Sequence, residues 1–165
     1  MESLDRLHAE LVVLPFFEDE RPLRGASGLI DWRLCGAISR KILAGYLDGR
    51  FGEQGLLANP ARLRADGLLF FGLGRNEAFD ESRARAACTS IAEAVREART
   101  SSVALALPGR SLERLPALRA MQIWLEIEVH AGQLDEITII EAAEEHRGLH
   151  ALVDGLRRQA ESPLD

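Results

Sequence analysis

The stretch that most constrains what this chain can fold into is Gly67 to Gly74, Gly-Leu-Leu-Phe-Phe-Gly-Leu-Gly, where large apolar residues follow one another with no polar residue between them. A strand with one wet face alternates, whereas a run without alternation belongs to a strand buried on both faces of a sheet. Such a strand needs helices above and below it. The run therefore points to a layered α/β domain whose ligand sites lie at strand ends, and it is expected at the centre of the sheet.

The rest of the chain is punctuated in keeping with that. Glu10 to Phe17 is predicted as the first strand, bounded by the acidic turn Glu18-Asp19-Glu20. Pro15 has no N–H to donate, so this strand is expected to end there or to lie at an edge, since a central ladder would be broken. Ser27 is placed to cap a helix carrying Leu34, Ala37, Ile38 and Ile42 and closed by Gly45. Phe51 to Leu57 reads as a short hairpin or edge strand ended by Asn59-Pro60. Asp80 caps a covering helix whose Ala84, Ala87, Cys88, Ile91, Val95 and Ala98 share one face. Ser102 to Leu107 is a second buried strand. A helix to His130 then carries Leu118, Met121, Ile123, Trp124, Leu125 and Ile127, a surface broad enough to reach a partner subunit, and Gly132 closes it. Asp135 to Ile140 is a β-branched strand. A last helix over about 142–159 has Leu149, Leu152, Val153 and Leu156 as its stripe. One domain over 1–165 with a loose tail at 161–165 is expected.

Composition narrows the partners. The net charge is −6, and residues 132–165 hold three Arg against eight Asp or Glu. Nucleic acid and anionic membrane both require a basic surface, so neither is expected as a partner. Cys35 and Cys88 both fall in apolar helical patterns with no ligand at metal spacing, which predicts buried free thiols in a reducing compartment. Glu2, Asp5 and Arg6 stand where a signal peptide needs an apolar core, and no window is apolar enough for a membrane span, so a cytoplasmic protein is expected.

No reactive constellation assembles from spacing. Gly72-Leu73-Gly74 sits where a dinucleotide-binding fingerprint would, but Glu77 stands in place of its third glycine and would repel a pyrophosphate; the turn reads as a tight strand-to-helix connection. His146 and His150 are one helical turn apart, yet Arg147 and Gly148 occupy the places where a zinc-peptidase helix carries its glutamate, so a solvated helix face is expected there. Glu126 and Glu128 read as solubilising charges. There is no Gly-x-Ser-x-Gly elbow and neither cysteine has a histidine near it in sequence, which leaves His8 and His130 as isolated side chains. No cofactor is expected.

Taken in order, Leu11-Val12-Val13-Leu14-Pro15-Phe16-Phe17, Gly25-Ala26-Ser27-Gly28, Phe51-Gly52-Glu53, Leu68-Leu69-Phe70-Phe71-Gly72-Leu73-Gly74-Arg75 and Ala104-Leu105-Ala106-Leu107-Pro108 resemble the N-terminal domain of the leucyl (cytosol) aminopeptidases. The Gly-Leu-Gly after a buried strand, with Phe79-Asp80 opening the next helix, is the most specific part. The resemblance implies a macro-domain-like, three-layer α/β/α fold with a mixed, mostly parallel sheet of about five to six strands. In that family the peptidase chemistry, with two divalent metals and an Asn-Thr-Asp-Ala-Glu-Gly-Arg motif, lies in a separate domain. Neither that motif nor its lysine ligands occur here, Lys41 being the one lysine, and the last helix replaces the connection to that domain. The expectation is a stand-alone, non-catalytic domain acting in protein interaction or regulation, as a homo-oligomer or with a protein partner. One alternative is a macro-domain-like binder of ADP-ribose or another phosphate-containing ligand through Arg24, Gly25, Ser27 and Gly28 and through Gly72, Gly74 and Arg75, glycine-bearing loops being favourable phosphate sites. Another is a non-catalytic subunit of a separately encoded metalloaminopeptidase.

Overall fold

The computed structural model describes residues 7–58, 62–131 and 134–161. Within them β1 (His8–Phe16), β2 (Gln54–Ala58), β3 (Arg64–Gly72), β4 (Ser102–Ala106) and β5 (Glu136–Ile140) form one sheet in the order β2-β3-β1-β4-β5. β1 pairs in parallel with β3 and β4, β4 in parallel with β5, and β2 runs antiparallel to β3. Helices α1 (Gly25–Arg33) and α2 (Ala37–Leu43) cover one face, packing on Val12, Leu14, Phe16, Leu68 and Phe70. Helices α3 (Glu81–Glu97) and α4 (Ala117–Ala131), with Leu149 of α5 (His146–Glu161), cover the other, packing on Leu11, Val13, Leu69, Phe71, Val103 and Leu105. The mixed, mostly parallel three-layer architecture is the one the sequence implies.

The centre of the sheet is β1, not the Gly67–Gly74 run, which stands one place from the edge as β3. Both strands carry unbroken apolar runs, and Pro15 made β1 look peripheral. The proline is tolerated because of where its missing N–H points. The Phe16 carbonyl accepts from Leu73 N on the β3 side, so Pro15 turns its backbone to the β4 side. There the last β1–β4 pair is Val13 with Leu105, so no ladder bond is lost.

The long helix expected from Ser27 to Gly45 is two helices. Leu34, Ile38 and Ile42 are all buried as the pattern requires, but Cys35 and Gly36 adopt left-handed φ of 55° and 76° and turn a corner between them. Asp31, buried within α1, holds that corner: its carboxylate accepts from Ile38 N at 2.8 Å and Ser39 N at 3.1 Å, and also from the Ser39 hydroxyl, so the start of α2 is capped from the helix before it. Ser27 is no cap. It lies inside α1, buried, and its hydroxyl donates to the Pro15 carbonyl. Asp80 does cap α3, accepting from Arg83 N. Ala98, expected on the buried face of α3, is exposed at the helix end, and Ala92 takes the inward place. Leu118 and Leu156 are likewise largely exposed on α4 and α5. Cys88 is buried as expected, and burial pushes its thiol up to about 12. Cys35 is exposed, because the corner rotates it off the apolar stripe. The Asn59-Pro60 stop, the Gly132 closure, the His130 side chain and the tail from 162 onward lie outside the described residues.

Candidate functional site

Ligands in open α/β sheets bind beyond the carboxyl ends of the strands, and the chain has a cavity of about 260 Å³ in that place, off the ends of β1, β4 and β5. Pro15, Leu29, Ala106, Leu107, Ile140 and Ala142 make its walls largely apolar. The first residues of α1, Gly25, Ala26 and Ser27, open onto it with the positive end of the helix. Arg110, Ser111, Glu141 and His146 bring polar groups.

Each of those polar side chains has a partner within the protein. Arg110 donates to Glu141 at 2.7 and 3.3 Å, to Glu145 at 3.3 Å and to the Leu115 carbonyl at 2.6 Å. Burial disfavours its charge, but the Glu141 bonds and the fields of Glu141, Glu145 and Glu113 prevail and hold the guanidinium above its ordinary value. His146 Nε2 lies 3.0 Å from the Glu141 carbonyl oxygen. The Ser111 hydroxyl donates at 2.7 Å to Glu20, which is 2% exposed and also accepts from Phe17 N at 3.1 Å and Arg24 N at 2.7 Å. Burial raises the Glu20 carboxyl against the pull of those three bonds and of Arg21. The carboxylate thus ties the loop after β1 to the loop after β4 and holds the rim of the cavity together. In the sequence Glu20 stands only as part of the acidic turn that bounds the first strand, and no spacing marks Arg110, Ser111 or Glu141. The Pro108-Gly109-Arg110-Ser111 segment directly after a buried strand is the signal that points to them.

The two expected loops part company. Gly25 and Ser27 line the cavity, whereas Arg24 is held by Glu20 through its backbone and Gly28 packs 2.5 Å, by its would-be Cβ, from the Leu23 carbonyl oxygen. Gly72, Gly74 and Arg75 lie off the end of β3, beside the loop before β2. A Cβ at Gly72 would overlap the Arg50 carbonyl oxygen and stand 2.6 Å from the Gly49 carbonyl carbon. Gly74, at φ 74°, exchanges backbone bonds with Gly49 and Glu18. These glycines bring backbone against backbone.

The remaining candidates are dispersed. His150 is exposed on α5 and His8 on β1. Glu126 accepts from Arg85 at 2.6 Å, and with Glu81 and Arg119 the pair stitches α3 to α4. Burial alone raises Glu128. Among the described residues there is no group of three His, Cys, Asp or Glu that could hold a metal, and Lys41 stacks its ammonium 5.4 Å from the Tyr46 ring centre, so the donor set does not fit the dinuclear centre of an aminopeptidase. No helix among the described residues is long and apolar enough to cross a membrane.

The sequence profile of the "Cytosol aminopeptidase family, N-terminal domain" matches residues 13–126. A probable cytosol aminopeptidase of Burkholderia orbicola (strain MC0-3) is 31% identical over 116 residues, 70% of this chain and 22% of that protein. The chain spans 20–24% of the length of the first curated relatives it matches. Among solved structures, a tomato leucine aminopeptidase mutant superposes with a TM-score of 0.61 at 16% identity, covering 89% of this chain and 33% of that one. The macrodomain of Mycobacterium tuberculosis DarG superposes with a TM-score of 0.66 at 14% identity, covering 84% and 93%. At such identities the structural likeness speaks of the fold, which is macro-domain-like. With the profile covering more than half of its length, this chain belongs to the cytosol aminopeptidase family and carries the fold of that family's N-terminal domain.

Proposed function

We propose that this domain is a non-catalytic interaction module, whose role is to bind protein and not to turn over a substrate. The observation that carries the reading is the exposure of large apolar side chains on and beside α1, α2 and β2: Trp32 is 73% exposed, Leu43 85%, Tyr46 74% and Leu56 72%. Large apolar side chains left this far in water fit a partner. The polar groups of the cavity meanwhile satisfy one another, which supports a structural use for them. A cytoplasmic setting suits the unpaired Cys35 and Cys88, and the acidic balance suits a protein partner better than nucleic acid. The partner class that suits the family is a peptidase catalytic domain.

The test is co-purification from the native source with tagged chain and with a Trp32→Ser variant, alongside a leucyl-anilide assay supplemented with divalent metal. Partners retained by the parent chain and lost by the variant, with no hydrolysis, are expected. Hydrolysis that disappears on mutating a defined site would overturn the reading.

A second reading rests on the cavity itself, which has apolar walls, a helix start and an arginine at the ends of three strands. In that reading it takes a small phosphate-containing ligand. Its volume lies below the roughly 300–1,000 Å³ usual for ligand pockets, which favours the first reading over one as large as ADP-ribose. Calorimetric titration of inorganic phosphate and of ADP-ribose decides the point, and absence of heat from both at millimolar ligand removes it.

A further inference from the structure

Resting on the interaction reading, we infer that the outer edge of β2 is where a second copy of this chain docks, the two β2 strands pairing antiparallel about a two-fold axis at Leu56.

The backbone supplies the first argument. The Glu53 carbonyl accepts from Gly72 N, so the residues at its alternation, Gly55 and Leu57, face β3, while Gln54, Leu56 and Ala58 turn their N–H and C=O groups away from the sheet. Among the described residues no strand pairs with that edge. The edge also lacks what protects such strands: Gln54-Gly55-Leu56-Leu57-Ala58 has no lysine, no proline and no charge.

The register argues for a second copy. With the axis at Leu56, the outward-facing residues of both strands meet each other. Leu56 pairs with the partner's Leu56, Gln54 with the partner's Ala58 and Gly55 with the partner's Leu57, so no like charges oppose one another and no bulky pair collides. The flanks do not oppose it. Beyond the Gln54 end lie Asp48 and Glu53 with Arg50 and with Arg83, whose guanidinium lies over the Phe51 ring, a balanced set; beyond the Ala58 end lie Arg62 and Arg64 with Asp66. Antiparallel pairing sets the balanced end, with its two carboxylates, against the partner's end with an excess guanidinium, so no like-charged flanks meet.

Apolar surface flanks the edge on both faces. Leu47 packs over Gly55, its Cδ2 2.5 Å from where a Cβ would stand, which brings its neighbours Tyr46 and Leu43 to that border of the α1–α2 face. On the α3–α4 face Leu56 reaches over Gly67, and Phe51 lies against Phe71 beside it. Leu43, Tyr46, Leu56 and Phe51 together offer roughly 500 Å² of side-chain surface, at about 150–250 Å² for a large side chain. With the strand backbone this approaches the roughly 800 Å² per partner of a standard interface.

The experiment is sedimentation equilibrium of the 18.2 kDa chain with hydrogen exchange on the same sample. The parent chain is expected to dimerise, with slowed exchange at the Gln54, Leu56 and Ala58 amides on raising the concentration. Leu56→Lys puts two ammonium groups on the axis and should raise the dimer dissociation constant at least about 100-fold. Leu56→Pro removes one outward N–H and leaves the β3 ladder intact, and should act in the same direction; if it unfolds, Leu56→Lys, at an exposed position, still decides. Trp32→Ser lies outside this edge and should leave the dimer unchanged. A parent chain that stays monomeric at 100-fold above ordinary working concentrations, or a dimer indifferent to Leu56→Lys, overturns the inference. Partner capture by a monomeric chain, lost on Trp32→Ser, would leave the interaction reading standing without it.

Discussion

Replacing Gly72 by alanine separates a phosphate-cradling glycine from one that seats two backbone segments together. Gly72 has no left-handed φ, so alanine brings no conformational penalty and the cost is steric. Its Cβ would overlap the Arg50 carbonyl oxygen and lie 2.6 Å and 2.8 Å from the Gly49 carbonyl carbon and oxygen, all backbone atoms. Ordinary contact needs about another ångström, so the 49–52 loop must move away. That movement breaks the bonds Gly72 N makes to the Glu53 carbonyl at 2.8 Å and Gly52 N makes to the Gly72 carbonyl at 3.0 Å. Overpacking at about 1–3 kcal/mol plus two hydrogen bonds at about 1 kcal/mol each gives a destabilisation of about 3–5 kcal/mol. For a chain of this size that is roughly 6–20 °C in Tm. The assay is urea unfolding with thermal melts, comparing Gly72→Ala with Gly45→Ala, where nothing stands within 4 Å and only the φ of 75° costs, about 1–2 kcal/mol. A Gly72→Ala chain within about 0.5 kcal/mol of the parent at unchanged m would refute the packing argument.

Three further outcomes follow from the structure. A disulfide-exchange reagent should titrate Cys35 at once and reach Cys88, buried and pushed up to about 12, only on unfolding; two rapidly reacting thiols in the native chain would contradict the packing of α3. Asp31→Ala removes the cap of α2 and strands buried donors, and should cost about 1–3 kcal/mol, with Asp31→Asn recovering part, as read by urea midpoints. Burial makes the folded chain hold the Glu20 proton to higher pH than the unfolded chain does. The stabilisation from that proton is complete below the ordinary glutamate range and is lost as pH rises through the raised value. Unfolding midpoints followed from roughly pH 4 to 7 should therefore fall less steeply in Glu20→Gln than in the parent; equal slopes would refute the assignment.

Some of this was legible in the residues and some was not, for physical reasons. Leu68 to Phe71 and Val103 to Leu107 announced buried strands because doubly covered strands have no polar side. Strand order is different: β1 and β3 are equally apolar, and what ranks them is which neighbour each finds. Pro15 misled because a missing N–H matters only on the side where a ladder continues. The corner at Cys35-Gly36 was hidden by Leu34, Ile38 and Ile42, which keep helical spacing through it; what makes the corner is an Asp31 carboxylate reaching forward to donors beyond the turn. At the cavity, Gly25 and Ser27 could be reached from the glycine-bearing loop. Glu20 could not, since Glu18-Asp19-Glu20 has the look of solvated charge and the Ser111 hydroxyl it holds lies 91 residues away.

The middle position of β1 bears on how the chain is made. His8 aligns with Arg64 and Leu11 with Val103, so this strand must wait for two neighbours that leave the ribosome much later. Until then Leu11 to Phe17 is a sticky ribbon open along both borders, and the slow closure of distant parallel pairs prolongs that interval. A cell producing this domain would need chaperones most during elongation, before β4 has emerged, and a stall ahead of Val103 would leave the future heart of the sheet as its most aggregation-prone segment.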